Sequence, residues 1–235
     1  GKAPFVADGQ DAVVIKAGKA EVKVDKKTGY LSGYAYGATQ FVKEPFAPNF
    51  WRAEIDNDWR GWKPSVYLSD WKTAPEYMLS KTAYVEADVE GCVAVVRVTR
   101  DIHDGKATLK LVYSVYPDGL VNVSYDLEIA DGTLEPLRVG LQGQIDKQFA
   151  NITYFGRGPQ ENYSDRNDGI FLGTWKTSVA DMMTQYVYPQ ENGNRTDVSW
   201  IALKDSKGRG LKIYGAQPLS VSAWNTTQDA LYKAN

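Results

Sequence analysis

Apolar and polar residues alternate with a period of two along much of this chain, as they do in strands with one buried and one wet face. Ala12-Val-Val-Ile-Lys16 and Ala20-Glu-Val-Lys-Val24 open the pattern. Asp25-Lys-Lys-Thr-Gly29 turns the chain, and Tyr30 to Tyr36 runs on as the next strand. From Thr82 onward the punctuation is regular. Ala83–Val89 ends at Glu90-Gly91, Cys92–Arg100 at Asp104-Gly105, Ala107–Tyr116 at Pro117-Asp-Gly119, and Leu120–Ile129 at Asp131-Gly132. Asp-Gly suits the primed turns that match strand twist, so these are successive hairpins. Val121, Val123, Tyr125, Leu127 and Ile129 share one face of their strand. Leu137–Ile145, Val198–Lys204, Gly210–Tyr214 and Leu219–Trp224 extend the pattern.

Between these runs lie the exceptions. Residues 1–10 are small and polar and read as a linker or the end of a preceding domain; residues 11–235 read as one all-β domain. Pro64 to Ser80 has two prolines and no clean period, and reads as a long excursion with room for one helical turn. Ser178–Met183 and Gln228–Lys233 are candidate short helices. Many short strands at regular spacing predict an antiparallel sandwich or barrel.

Composition narrows the function. The net charge is −2, from 27 basic and 29 acidic residues that are interspersed, which gives no footing for nucleic acid or an anionic membrane. No apolar run approaches the roughly 20 residues of a membrane span. Aromatics reach 12%, with 7 Trp and 15 Tyr, a level that suits β-structure or a sugar-binding surface. Cys92 is the single cysteine and is expected to be a buried small hydrophobe. The one histidine, His103, is expected exposed in a hairpin turn, where Asp101 and Asp104 read as turn formers rather than Ca2+ ligands.

The richest stretch is Pro48-Asn-Phe-Trp-Arg-Ala-Glu-Ile-Asp-Asn-Asp58, followed by Trp59-Arg-Gly-Trp62. It reads as a strand end opening into an Asx-rich loop tipped with indoles. With Gly156-Arg-Gly-Pro-Gln-Glu-Asn-Tyr-Ser-Asp-Arg166 and Tyr186-Val-Tyr-Pro-Gln-Glu-Asn-Gly-Asn-Arg195, it resembles the C-terminal "small chain" domain of LacZ-type family 2 β-galactosidases. The three blocks come in that family's order over nearly the whole chain. Glu54 departs from the family, which usually has Pro there.

The resemblance implies an antiparallel β-supersandwich of the galactose-mutarotase-like kind. It also implies that the chain stops before the family's Gly-Gly-Asp-Asp-Ser-Trp motif. The implied role is an accessory domain of a retaining β-galactosidase, inactive alone. The two catalytic carboxylates, and any Mg2+ or Na+, would belong to a (β/α)8 barrel of the parent. No catalytic residue, metal site or cofactor is assigned to this chain. Its expected partners are the parent's other domains and, through the assembled site, a β-galactoside. A soluble, bacterial-type protein is implied, with cytoplasm and periplasm both open.

Arg52, Asp56, Asn57, Asp58, Trp59 and Trp62 are the pocket-shaping candidates: tryptophan faces stack on sugar rings and Arg bonds hydroxyls. The alternative for both tryptophans is packing into a neighbouring domain. Glu161, Asn162, Asp165, Arg166, Glu191, Asn192 and Arg195 read as a polar network holding loops together, with direct sugar contact as the alternative. A stand-alone carbohydrate-binding module is the competing function. A mutarotase-like epimerase fits poorly, because a lone His103 supplies no histidine pair.

Overall fold

The computed structural model describes residues 1–228 and 230, without the side chain of Trp59; the helix expected over Gln228–Lys233 runs outside the described residues. Over the residues expected to form one domain, the chain gathers into two compact units. The first comprises Gly1–Trp51 and Lys63–Ile145, the second Arg52–Trp62 and the chain from Asp146 onward.

Unit 1 holds β1 (Phe5–Asp8), β2 (Ala12–Ala17), β3 (Ala20–Asp25), β4 (Leu31–Tyr36), β5 (Thr39–Gln40) and β6 (Val42–Asn49). Helices α2 (Pro64–Tyr67) and α3 (Ser69–Ser80) follow, after α1 (Asp56–Arg60) of unit 2. Then come β7 (Tyr84–Glu90), β8 (Val93–Ile102), β9 (Ala107–Val115), β10 (Val121–Ile129) and β11 (Gly140–Ile145). One sheet runs β1-β2-β3-β4-β6-β11 with β5 beside β4; the other runs β10-β9-β8-β7. All pairings are antiparallel among the described strands. The alternation read from the sequence becomes the sandwich core. Val13, Ile15, Val22 and Val24 of one sheet are buried with Val96, Val98, Leu109 and Leu111 of the other. Burying each such side chain stabilises the fold by about 1.5–3 kcal/mol.

Several expectations need correction. Residues 5–8 form a strand, because Val6 packs on the core and Lys26 Nζ donates to Asp8 Oδ1 at 2.7 Å. Pro64–Ser80 carries two helices rather than one turn. Trp71, Ala74 and Met78 fall on one face of α3 and are buried, and that apolar face outweighs the propensity penalty of Pro75 inside the helix. Phe50 packs on Trp71 with ring centroids 5.0 Å apart, and the Trp71 indole donates to Leu134 O at 2.7 Å. Cys92 is exposed. Gly91, at φ +63°, begins the β7–β8 turn, so the buried alternation starts only at Val93. His103 does occupy its turn, at φ +51°, but is half-buried against α3, with Nε2 2.8 Å from Asp70 O.

Sequence reading passed over Arg100, which is 3% exposed. Its guanidinium donates to the carbonyls of Lys27 (3.2 Å) and Lys81 (3.0 Å), and also to those of Thr28 and Met78. A buried cation thereby ties the β3–β4 turn to the end of α3.

Unit 2 contains β12 (Asn151–Gly158), β13 (Phe171–Ser178), α4 (Val179–Met182), β14 (Arg195–Lys204) and β15 (Gly210–Val221), with α1. Its sheet runs β13-β12-β14-β15, again antiparallel. Ile152, Tyr154, Ile201 and Leu203 cover the buried face. Ser178 caps α4 by accepting from the Asp181 N–H at 3.2 Å, where a short helix is expected. The run 210–214 and the start of the run 219–224 join in the single strand β15, which ends at Val221; register shifts in its pairing with β14 break the pattern.

Candidate functional site

The first block is built around one carboxylate. After β6, Phe50 and Trp51 are buried in unit 1, and the chain continues as Arg52–Trp62 of unit 2. The Asp58 side chain is only 3% exposed. It accepts two bonds from Arg52, Nη1 at 2.6 Å and Nη2 at 3.2 Å, and one from the Ile55 N–H at 2.9 Å. The Trp62 indole donates to it as well. Burial works to raise its pKa, but the bonds from Arg52, Ile55 and Trp62 outweigh this and hold the carboxyl below its ordinary value. Where a loop was expected, this clamp winds residues 56–60 into the single helical turn α1. Gly61 closes it, donating to Asn57 O at 2.9 Å; a Cβ there would sit 2.5 Å from that same oxygen, so only glycine fits.

The candidates therefore divide. Arg52 and Asp58 are occupied with each other and shape the backbone. Asp56 and Asn57 are exposed, and Trp62 is 49% exposed. Glu54 is buried in the extended stretch ahead of α1. The Trp59 side chain lies outside the described structure.

The second and third blocks interlock. Asn162 is fully buried. Its N–H donates to Asn194 O (2.8 Å), and its Nδ2 to Arg157 O (3.2 Å) and Gln160 O (2.9 Å). Its Oδ1 accepts from Thr196 N (3.0 Å) and Oγ1 (2.6 Å), and its backbone O from Asn194 Nδ2 (2.9 Å). Glu161 accepts from Arg166 Nη2 (2.9 Å), the Gly193 N–H (2.7 Å) and the Tyr186 hydroxyl. Burial raises its pKa, but these bonds, with one from Thr184, leave it lowered. Gly193 has φ +74°, and a Cβ would lie 2.6 Å from Met182 O, so the position admits only glycine.

Arg195, 4% exposed, donates Nε to the Tyr154 hydroxyl (3.2 Å) and Nη1 to Gly193 O and Asn194 O (3.1 and 3.2 Å). Asn192 accepts from Thr184 N (3.1 Å) and receives the Trp224 indole at its carbonyl (3.1 Å). Glu191 is buried beside them in sequence. Asp165 stands apart, exposed. Tyr154, Thr196 and Asn194 are members that sequence reading did not single out; Asn194 stood inside the third block, and only its motif neighbours could have pointed to it.

Among the described residues no three His, Cys, Asp or Glu side chains converge as metal ligands would, and no helix is long and apolar enough to cross a membrane. Asp101 accepts from the N–H groups of Asp104 (3.0 Å) and Gly105 (2.7 Å), an ordinary turn.

The chain is thus an antiparallel β protein whose motif residues are largely tied up in clamps within and between loops. Residues 16–235 match the family described as "Beta galactosidase small chain", and the chain belongs to it. Over 199 residues it is 33% identical to a β-galactosidase of Priestia megaterium, covering 85% of this chain and 19% of the relative. A β-galactosidase of Halalkalibacterium halodurans is 31% identical (82% and 19% covered), and one of Klebsiella pneumoniae 30% identical (96% and 22% covered). The chain spans about a fifth of the length of these curated relatives.

Proposed function

We propose that the chain is an accessory domain of a retaining β-galactosidase that hydrolyses terminal β-D-galactose residues, and that it helps shape the sugar pocket without supplying the reacting carboxylates. The observation that carries this reading is the family match over residues 16–235. The geometry of the first block supports it. Arg52 and Asp58 lock the segment, which leaves Asp56, Asn57 and Trp62 as its outward polar and aromatic tip. A rigid loop with an exposed indole suits stacking on a sugar ring. The parent's other domains would be the partners, and any Mg2+ or Na+ would be held there.

The test compares the 235-residue chain with the full-length protein on a chromogenic β-galactoside. The chain alone is expected to give no turnover. In the full-length protein Trp62→Ala is expected to raise KM several-fold with the fold intact. Turnover by the chain alone would overturn the reading, and an unchanged KM would remove Trp62 from the pocket.

A further inference from the structure

The outer face of the unit 2 sheet has a composition that its fold does not require. Thr174, Phe155, Trp200 and Tyr214 are directly paired across β13, β12, β14 and β15, so they form one row across the sheet. The strands lie about 4.8 Å apart, so the row spans roughly 14 Å, the scale of a short oligosaccharide. Phe155 is 36% and Tyr214 61% exposed. A sheet face open to solvent normally carries polar side chains; here two exposed rings flank the half-buried Trp200, and Ala202 in the next row is covered.

The next row is Lys176, Thr153, Ala202 and Lys212, and the one beyond it includes Asn151 and Lys204. None of the positions in these rows is Asp or Glu, although the chain as a whole has a net charge of −2. Lys212 is also pre-positioned. Its Nζ lies 4.1 Å from the Trp200 ring centroid and 4.7 Å from that of Tyr214. Two rings restrain the ammonium where it can meet an anion, so less side-chain freedom is lost on binding.

We propose that this face binds an anionic glycan, a polysaccharide carrying sulfate or carboxylate groups on its rings. Tyr214 and Phe155 offer apolar surface to the sugar, Lys212, Lys176 and Lys204 meet the anionic groups, and the Thr and Asn side chains bond hydroxyls. A single-stranded nucleic acid also stacks and carries charge, but three lysines on a net-acidic chain are a poor match for a phosphate at every residue. The surface does not depend on which reaction the whole protein performs.

The test is affinity electrophoresis of the full-length protein through native gels containing sulfated galactan, polygalacturonate, neutral galactan or poly(dT). Retention by at least one of the two anionic glycans is expected, and which one is retained identifies the anionic group. Tyr214→Ala and Lys212→Gln should each weaken that retention at least ten-fold. Lys16→Gln, at an exposed position of β2, should not. Melting temperatures and turnover of a small chromogenic galactoside should stay unchanged, so the result stands apart from the fate of the pocket reading. The proposal is overturned if neither anionic glycan is retained, if poly(dT) is held as strongly, if Tyr214→Ala weakens retention by neutral galactan as much, or if retention ignores the Tyr214 ring.

Discussion

Two regions rich in the same residue types, Asn, Asp, Glu and Arg, do different work. In Arg52–Trp62 one ion pair closes over six residues and leaves its tip in solvent. Between the second and third blocks, bonds join residues 20 to 34 positions apart, and Asn162 and Arg195 are shut away from solvent. The first arrangement presents side chains; the second stitches distant loops together. Residue type alone does not separate these roles. Sequence distance between partners and exposure do.

Asn162→Ala should have the largest effect on stability. It removes two donations and two acceptances at a fully buried site, so unfolding by urea should reveal a loss of about 4 kcal/mol. A loss below about 1 kcal/mol would mean that the loops hold each other by other means. Arg52→Gln should cost less, about 2 kcal/mol, because Asp58 is left buried but its partner was itself partly exposed. Hydrogen exchange should speed up at the Ile55 and Asp58 amides while those of Asn162 and Thr196 stay protected.

Acid should act on both regions, more weakly. Asp58 and Glu161 both have lowered pKa values in the fold, Asp58 against its burial through Arg52, and Glu161 likewise through Tyr186 and Gly193. The folded state therefore takes up these protons less readily than the unfolded chain. The stability they contribute is present above the ordinary carboxylate range, about pH 4, and is lost as pH falls through their lower folded values. Urea midpoints should be level from about pH 7 to 5 and fall below about 4. The double variant Asp58→Asn, Glu161→Gln should flatten that fall, and an unchanged fall would assign it to other carboxylates. Smallest of all, Asp56→Ala at the exposed tip should shift stability by less than about 0.5 kcal/mol in the same titrations.

The hairpins from β7 to β10 were legible because Gly and Asp mark their turns and the alternation between is strict. β6 was hidden by Pro45 and Pro48, and β12 and β13 by Gly156, Gly158 and Gly173, which dilute the apolar period. α3 was hidden by Pro75, since its helical face emerges only once Trp71, Ala74 and Met78 have a core to pack against. In the candidate site, the three blocks were visible as motifs, but their division of labour was not. Nothing in the spacing of Asn162 and Thr196 announces that one closes on the other. Nor does anything near Asp58 reveal that Arg52 donates to its carboxylate.

The chain leaves unit 1 at Trp51 and re-enters it at Lys63, so the segment between is tethered at both ends. For such a tether, added length is cheap: doubling a flexible loop costs only about 0.6 kcal/mol of closure entropy. The ends are held by buried Phe50 and Trp51 on one side and buried Pro64 on the other, outside the segment itself. Extra residues placed between Trp62 and Lys63, outside the clamp that Arg52, Gly61 and Trp62 complete, should therefore have little consequence for the sandwich of unit 1.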